Sequence, residues 1–194
     1  MKYDVILAGV GGQGVLSIAA IIAQAAGQAG LSIKQSEVHG MSQRGGAVES
    51  HLRLADHPIH SDLIPTAYAD MVLAMEPMEA LRYVPFLSPA GVIVTDRTPV
   101  VNIPNYPEAE DVYAALEQFP CSRLVDTVQI ARDLHAVRSS NMVLLGAASA
   151  FLPLDAADLE AAIDAVFGRK GEAVVAQNVA AFRAGREAAS VPAR

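Results

Sequence analysis

The sequence predicts an α/β domain: a Rossmann-like, mainly parallel sheet flanked by helices, with a C-terminal helical segment. Three observations carry that expectation. The short apolar runs Val5 to Ala8, Met71 to Met75 and Gly91 to Val94 have the continuity of strands buried on both faces, as parallel strands are. The first of these runs ends in glycines and passes at once into the apolar stretch Val15 to Ala26, a helix by its length. Beyond Thr127 the pattern is helical to the end, broken only at Ser139-Ser140, Pro153 and Gly168 to Gly171.

Taken in order, the first element carries the most information. Gly9, Gly11 and Gly14 have the G-x-G-x-x-G spacing between a strand and a helix, the context in which that pattern has meaning. In a dinucleotide site the first glycine permits the tight turn, the second lets backbone approach a pyrophosphate, and the third lets helix pack on strand. The free N–H groups at the helix start then face an anion. Glycines at such a turn also serve packing alone, so both readings stand. Gly12 adds a fourth glycine, and Gln13 places an amide within reach of a ligand or a partner chain.

Ser32 to Val38 reads as a second strand completing a β-α-β unit, entered through Gly27 and Gly30. Glu37 falls near the position, about 20 residues past the loop, where an acid binds ribose hydroxyls; the competing reading is a charged residue in a loop. Gly40-Met41-Ser42-Gln43-Arg44-Gly45-Gly46 follows, a polar loop whose glycines allow close backbone approach and whose Arg44 suits a phosphate or carboxylate. The plain alternative makes Arg44 a surface or interface cation. Ala47 to Leu54 alternates as a half-exposed strand does. His51, His57 and His60 straddle a loop containing Pro58 and lack the i, i+4 spacing of a helical zinc pair, so a metal is not expected there.

Met71 to Met75 leads into Glu76-Pro77, where proline opens a helix running to about Phe86. Gly91 to Asp96 is the next strand. Asp96-Arg97 sits at its carboxyl end, where open α/β sheets bind ligands and where aspartate also serves as a cap or turn residue. Prolines and asparagines from Pro99 to Pro107 mark an irregular excursion, Asp111 to Phe119 a short helix, and Arg123 to Thr127 a last strand. The helices then expected are Val128 to Val137, Asn141 to Phe151, Asp155 to Phe167 with Asp155 as its cap, and Glu172 to Ala189.

Composition narrows the function. A length of 194 residues suits one domain, taken as 1–190 with a flexible tail at 191–194. Hydrophobic residues at 52% against 18% charged exceed what a soluble monomer needs, which points to a buried subunit interface. The apolar runs are too short for a membrane span, and Asp4 directly after the N-terminus is unlike a signal peptide. A net charge of −7 is the wrong sign for a nucleic-acid partner. Cys121, the sole cysteine, rules out an internal disulfide or a cysteine-ligated iron–sulfur cluster on this chain and fits a cytoplasmic setting.

Four segments together carry a resemblance: Gly9-Val10-Gly11-Gly12-Gln13-Gly14, Glu37-Val38-His39-Gly40-Met41-Ser42-Gln43-Arg44-Gly45-Gly46, Ala74-Met75-Glu76-Pro77-Met78-Glu79-Ala80-Leu81-Arg82 and Asn141-Met142-Val143-Leu144-Leu145-Gly146-Ala147. They resemble the gamma-type subunit of 2-oxoacid:ferredoxin oxidoreductases over nearly the whole chain, with the His39 to Gly46 segment similar to the small (beta) subunit of indolepyruvate enzymes. The resemblance implies a complex that oxidatively decarboxylates a 2-oxoacid on thiamine diphosphate with Mg, passes electrons through iron–sulfur clusters to ferredoxin, and forms an acyl-CoA from coenzyme A. Those cofactors are expected on a larger partner subunit. This chain agrees by omission, having neither a cysteine set nor a thiamine-type Gly-Asp-Gly followed by Asn-Asn. No catalytic residue is assigned to it; the expected contact residues are Gly9, Gly11, Gly12, Gln13 and Gly14 with Ser42, Gln43, Arg44, Gly45 and Gly46. Two other readings stay open on the residues alone. One is a free-standing NAD(P)-dependent dehydrogenase using the glycine loop and Glu37; the other is a non-catalytic nucleotide-binding regulatory subunit.

Overall fold

The structure is a computed structural model that describes residues 1–39 and 45–190, with nothing given for the side chains of His39 and Ser190. The strands are β1 (Lys2–Val10), β2 (Ser32–His39), β3 (Ala47–Ala55), β4 (Ala69–Ala74), β5 (Leu87–Asp96) and β6 (Ser122–Val125). The helices are α1 (Val15–Gln28), α2 (Pro77–Arg82), α3 (Ala109–Glu117), α4 (Thr127–Asp133), α5 (Ser140–Ala148), α6 (Ala156–Phe167) and α7 (Glu172–Ser190). Among the described residues the strands form one sheet in the order β2-β3-β1-β4-β5-β6.

The sheet is parallel through β1, β4, β5 and β6, and β3 runs antiparallel to both of its neighbours. One expectation changes here. The segment 32–38 is a strand, but β2 does not lie beside β1, because the β2–β3 hairpin folds β3 into the space between them. Neighbouring strands stand about 4.8 Å apart, so β2 lies about 10 Å from β1, one strand spacing beyond the place a dinucleotide fold gives it.

Alternation along the central strands divides the core in two. Val5 and Leu7 of β1 face α1 and the C-terminal helices, while Ile6 and Ala8 face α2 and α3. Helix α5 is apolar all round and buried from Asn141 to Ala148, as a helix sandwiched between a sheet and other helices must be. It meets α7 at paired glycine notches. A Cβ on Gly146 would lie 1.9 Å from the Phe182 carbonyl oxygen, and one on Gly185 would lie 1.9 Å from that of Val143.

Two helix ends and one cap differ from expectation for identifiable reasons. The helix expected from Pro77 to Phe86 stops at Arg82, and Pro85, which cannot donate the next helical bond, sits inside a 3-10 turn at Val84–Phe86. The helix expected to reach Val137 ends at Asp133, followed by His135 at φ 52°. Asp155 precedes α6 without a side-chain capping bond, whereas Glu76 and Asp126 cap α2 and α4 through their carboxylates.

The outer face of β3 is covered instead of half-exposed. Asp4, fully buried, accepts from Arg53 Nε at 2.9 Å and Nη2 at 3.1 Å, and Lys2 Nζ lies 2.8 Å away. Arg53 also donates to the carbonyls of Ser61 (3.1 Å) and Leu63 (3.0 Å), which fastens the β3–β4 connection over the strand.

Candidate functional site: the carboxyl edge of the sheet

The strands β1 and β4 end at one edge of the sheet, where the chain also re-enters at the start of β3. There the Gly11 N–H donates to the Gly46 carbonyl at 2.8 Å, the Gly45 N–H reaches the Gly11 carbonyl at 3.4 Å, and Asn102 Nδ2 donates to Gly45 O at 2.9 Å. The glycine loop and Gly45-Gly46 are thus joined side by side. Ser42, Gln43 and Arg44 lie outside the described residues.

Inside the loop the glycines serve Gln13. Its Oε1 accepts from the Val10 N–H at 2.7 Å and its Nε2 donates to the Met75 carbonyl at 2.8 Å, so the amide bridges the ends of β1 and β4. A Cβ on Gly9 would meet Val15 Cγ2 at 2.8 Å and Gln13 Oε1 at 3.0 Å, so glycine there makes room for both the helix and the bridge. The sequence left this amide available to a ligand or a partner; the structure spends it internally, because two backbone groups at the strand ends need partners. Gly12 is exposed at φ 104° with no atom within 4 Å of the Cβ position, leaving the backbone open to approach. Gly14 adopts φ 83°, and its carbonyl accepts from Asn141 Nδ2 at 3.3 Å.

This geometry speaks against a dinucleotide held in the Rossmann manner. The crevice between β1 and β4, where the chain turns opposite ways across the sheet, is where such a ligand sits, and Gln13 fills it. The Gly11 N–H is already used, and Glu37 lies on β2 with β3 interposed.

On the other face of the same edge lies a carboxylate cluster to which the sequence assigned no role. Glu76 Oε2 caps the Glu79 N–H at 2.9 Å, while its Oε1 accepts from the Val100 N–H at 3.2 Å and from the Tyr106 hydroxyl. Glu79 is 5% exposed; Arg82 Nε lies 3.1 Å from its Oε2 without a directed hydrogen bond, and burial raises its pKa above the usual carboxylate range. The two glutamates border a cavity of about 250 Å³ with Arg82, Asn102 and Tyr106. Glu76-Pro77 gave the sequence reading a helix start; nothing in a linear pattern marks which glutamate turns inward.

The remaining candidates resolve simply. Asp96 is a turn residue: its buried Oδ1 accepts from the N–H groups of Thr98 (3.2 Å) and Thr127 (3.3 Å), and burial raises its pKa. His51 Nδ1 accepts from the Ile64 N–H at 2.9 Å, so Nε2 carries the proton and donates to Glu49 at 2.7 Å. His57 pairs with Asp56 at 2.8 Å. Among the described residues no group of three or more His, Cys, Asp or Glu side chains could hold a metal ion.

The four segments that carried the resemblance meet at this edge. Met75 receives Gln13, Asn141 reaches Gly14, and Gly46 receives Gly11. Residues 4–188 match the family model described as pyruvate ferredoxin/flavodoxin oxidoreductase. The chain belongs to that family. Its curated relatives include the indolepyruvate oxidoreductase subunit IorB of Archaeoglobus fulgidus, 37% identical with 75% of each chain covered. The subunit of the same name from Methanothermobacter thermautotrophicus is 35% identical, with 98% of this chain and 99% of that one covered. The gamma subunit of the Geobacter sulfurreducens keto/oxoacid ferredoxin oxidoreductase superposes with a TM-score of 0.72 at 27% identity, each chain covered to 97%. The Magnetococcus marinus 2-oxoglutarate:ferredoxin oxidoreductase, solved with 2-oxoglutarate, coenzyme A and succinyl-CoA bound, shares the fold at a TM-score of 0.78 and 24% identity. The present chain covers 31% of that longer one. Within the oxidoreductase family fold, no helix of the described residues is long and apolar enough to cross a membrane.

Proposed function

We propose that this chain is the small subunit of a heteromeric arylpyruvate-type, indolepyruvate-like 2-oxoacid:ferredoxin oxidoreductase. In this reading the loop Gly9 to Gly14, joined to Gly45-Gly46, and with it the segment Ser42 to Gly46, are the surface turned toward the large subunit and coenzyme A. The observation that carries it is the convergence of the four family segments at one edge of the sheet, in a chain whose relatives are named as indolepyruvate oxidoreductase subunits. Gly12 and a shallow hollow of about 280 Å³ beside Gly11, Leu16 and Val48 give that edge an open backbone face.

The chemistry requires a partner. Decarboxylating a 2-oxoacid needs an electron sink for the carbanion, and one-electron transfer to ferredoxin needs clusters. With Cys121 as its one cysteine this chain does not fit a cluster, and it has no thiamine-type diphosphate motif, so thiamine diphosphate, Mg and the iron–sulfur centres belong to the large subunit. What this chain contributes is shape and anion-favouring backbone at the coenzyme A entrance.

Co-purification tests the assignment. The tagged chain, isolated from its native source, is expected to bring down one large, brown, cluster-bearing protein in fixed ratio. Recovery of the chain alone, or saturable binding of NAD by it, would favour the dehydrogenase instead. Arg44→Lys, which removes the planar fork but keeps the charge, is expected to raise the KM for coenzyme A or weaken assembly.

A further inference from the structure

The sheet ends on β6, and the outer edge of that strand has no neighbour among the described residues. The Cys121 and Val125 carbonyls accept from the N–H groups of Ile93 and Arg97, each at 2.9 Å. Bonds of a parallel ladder fall on alternate residues, so Cys121, Arg123 and Val125 turn their backbone groups to β5, while the N–H and C=O of Ser122 and Leu124 face the free edge. The Ser122 carbonyl takes Arg123 Nη1 at 2.8 Å. Nothing among the described residues takes the N–H or C=O of Leu124 across that edge.

A cleft of about 560 Å³ follows the same edge, lined by Ser122, Leu124 and Val125 of the strand itself. Glu117 and Phe119 stand on the α3 side, and Ala188 and Ala189 of α7 on the other, where their small side chains leave room for an added backbone. Arg97 and Arg123 border this cleft as well. Each guanidinium rests on an aromatic ring instead of a carboxylate: Arg97 lies 4.7 Å from the centre of the Tyr113 ring, and Arg123 lies 5.9 Å from that of Phe151. Among the described residues neither arginine is paired with an acid, Glu117 included. The cleft therefore presents two guanidinium groups against one carboxylate, in a chain whose net charge is −7.

The geometry points to the β6 edge as a docking site for an extended, acidic segment of another protein, which adds to the sheet as a further strand through the backbone of Leu124 and sets its carboxylates on Arg97 and Arg123. Main-chain bonds hold the segment in register, and the two guanidinium forks select its side chains. A second copy of this chain fits the edge poorly. A two-fold axis between paired β6 edges brings Arg97 and Arg123 of both copies to one seam, where like charges oppose each other. With β4 and β5 between it and β1, the edge is separate from the glycine loop, and the inference stands independently of the proposed function.

The test is an NMR titration of the isotope-labelled full chain with the blocked peptide acetyl-Thr-Glu-Val-Glu-Val-Thr-amide. Saturable binding is expected, with the Leu124 amide moving downfield and its hydrogen exchange slowing. Arg97→Gln and Arg123→Gln are each expected to weaken binding about fivefold, the scale of a partly exposed ion pair. Arg169→Gln, which removes an exposed cation outside the cleft, is expected to change it by less than about twofold. Exchanging the two glutamates of the peptide for lysine is expected to abolish binding. Methylating alternate amide nitrogens of the peptide is expected to abolish it in one phase and spare it in the other, the signature of strand addition, and this control leaves the protein unaltered. No saturable binding, an unmoved Leu124 amide, or binding indifferent to both arginines or to the charge of the peptide overturns the inference. Self-association that slows exchange at Leu124 without peptide overturns it too, in favour of a second copy.

Discussion

Asn141 Nδ2 donates to the Gly14 carbonyl at 3.3 Å, tying the first turn of a buried helix to the residue from which α1 starts, 127 positions earlier in the chain. The contact is close enough that a Cβ on Gly14 would stand 2.6 Å from that Nδ2, and Gly14 is held at φ 83°. Gly14→Ala therefore faces left-handed strain and a displaced amide together. It is expected to cost about 2–3 kcal/mol, with part recovered when Asn141→Ala is added. Denaturant titration of the two single variants and the double variant gives the coupling; simple additivity would show that the contact is not what fixes Gly14.

The Gln13 bridge makes a second expectation. Gln13→Ala leaves the Val10 N–H and the Met75 carbonyl without their partner, at a cost of about 2–4 kcal/mol. A loss below about 0.5 kcal/mol by chemical denaturation would mean that the edge closes without it.

Much of this could be read in the linear chain, and what could not has physical causes. The strand at Val5 to Val10, the helix after it and the buried strands at Met71 and Ile93 follow from apolar runs and glycines, which act locally. The neighbour of β1 does not follow, because Ser32 to Val38 has the same pattern whether it pairs with β1 or, as it does, with β3 through the hairpin. Gln13 was recognised as unusual but assigned outward, since no local rule reveals that Met75 ends beside it.

The packing of α5 on α7 gives a third expectation. Gly146→Ala and Gly185→Ala each drive a methyl to within 1.9 Å of a backbone oxygen that cannot swing away, so each is expected to cost about 3 kcal/mol or more by forcing α5 and α7 apart. Loss of near-ultraviolet circular dichroism or a lowered Tm checks it; a variant as stable as the parent would contradict the close approach.

At the opposite end of the sheet, Arg53→Met leaves fully buried Asp4 with only half-exposed Lys2 for company. The expected cost is about 3 kcal/mol, together with earlier proteolysis between Ser61 and Leu63, whose carbonyls Arg53 holds.

Glu79 sets a pH dependence. Its folded pKa is raised above 4.5 by burial, so the folded state holds this proton more tightly than the unfolded chain. The associated stability is fully present below about pH 4.5 and is lost as pH rises through the folded value. Glu79→Gln is therefore expected to melt higher than the parent at pH 7, with the gap closing in acid. Asp96, raised in the same direction, leaves a residual slope in the variant. A variant that melts lower at pH 7 would show the Arg82 contact outweighing burial.

The central claim is that this chain works only as one part of a larger oxidoreductase, and one assay addresses it directly. The purified chain, the large subunit with thiamine diphosphate and Mg, and the two together are supplied with indolepyruvate, coenzyme A and a low-potential electron acceptor. Acyl-CoA formation is expected only from the combination. Turnover by this chain alone, or full activity of the large subunit without it, would contradict the account.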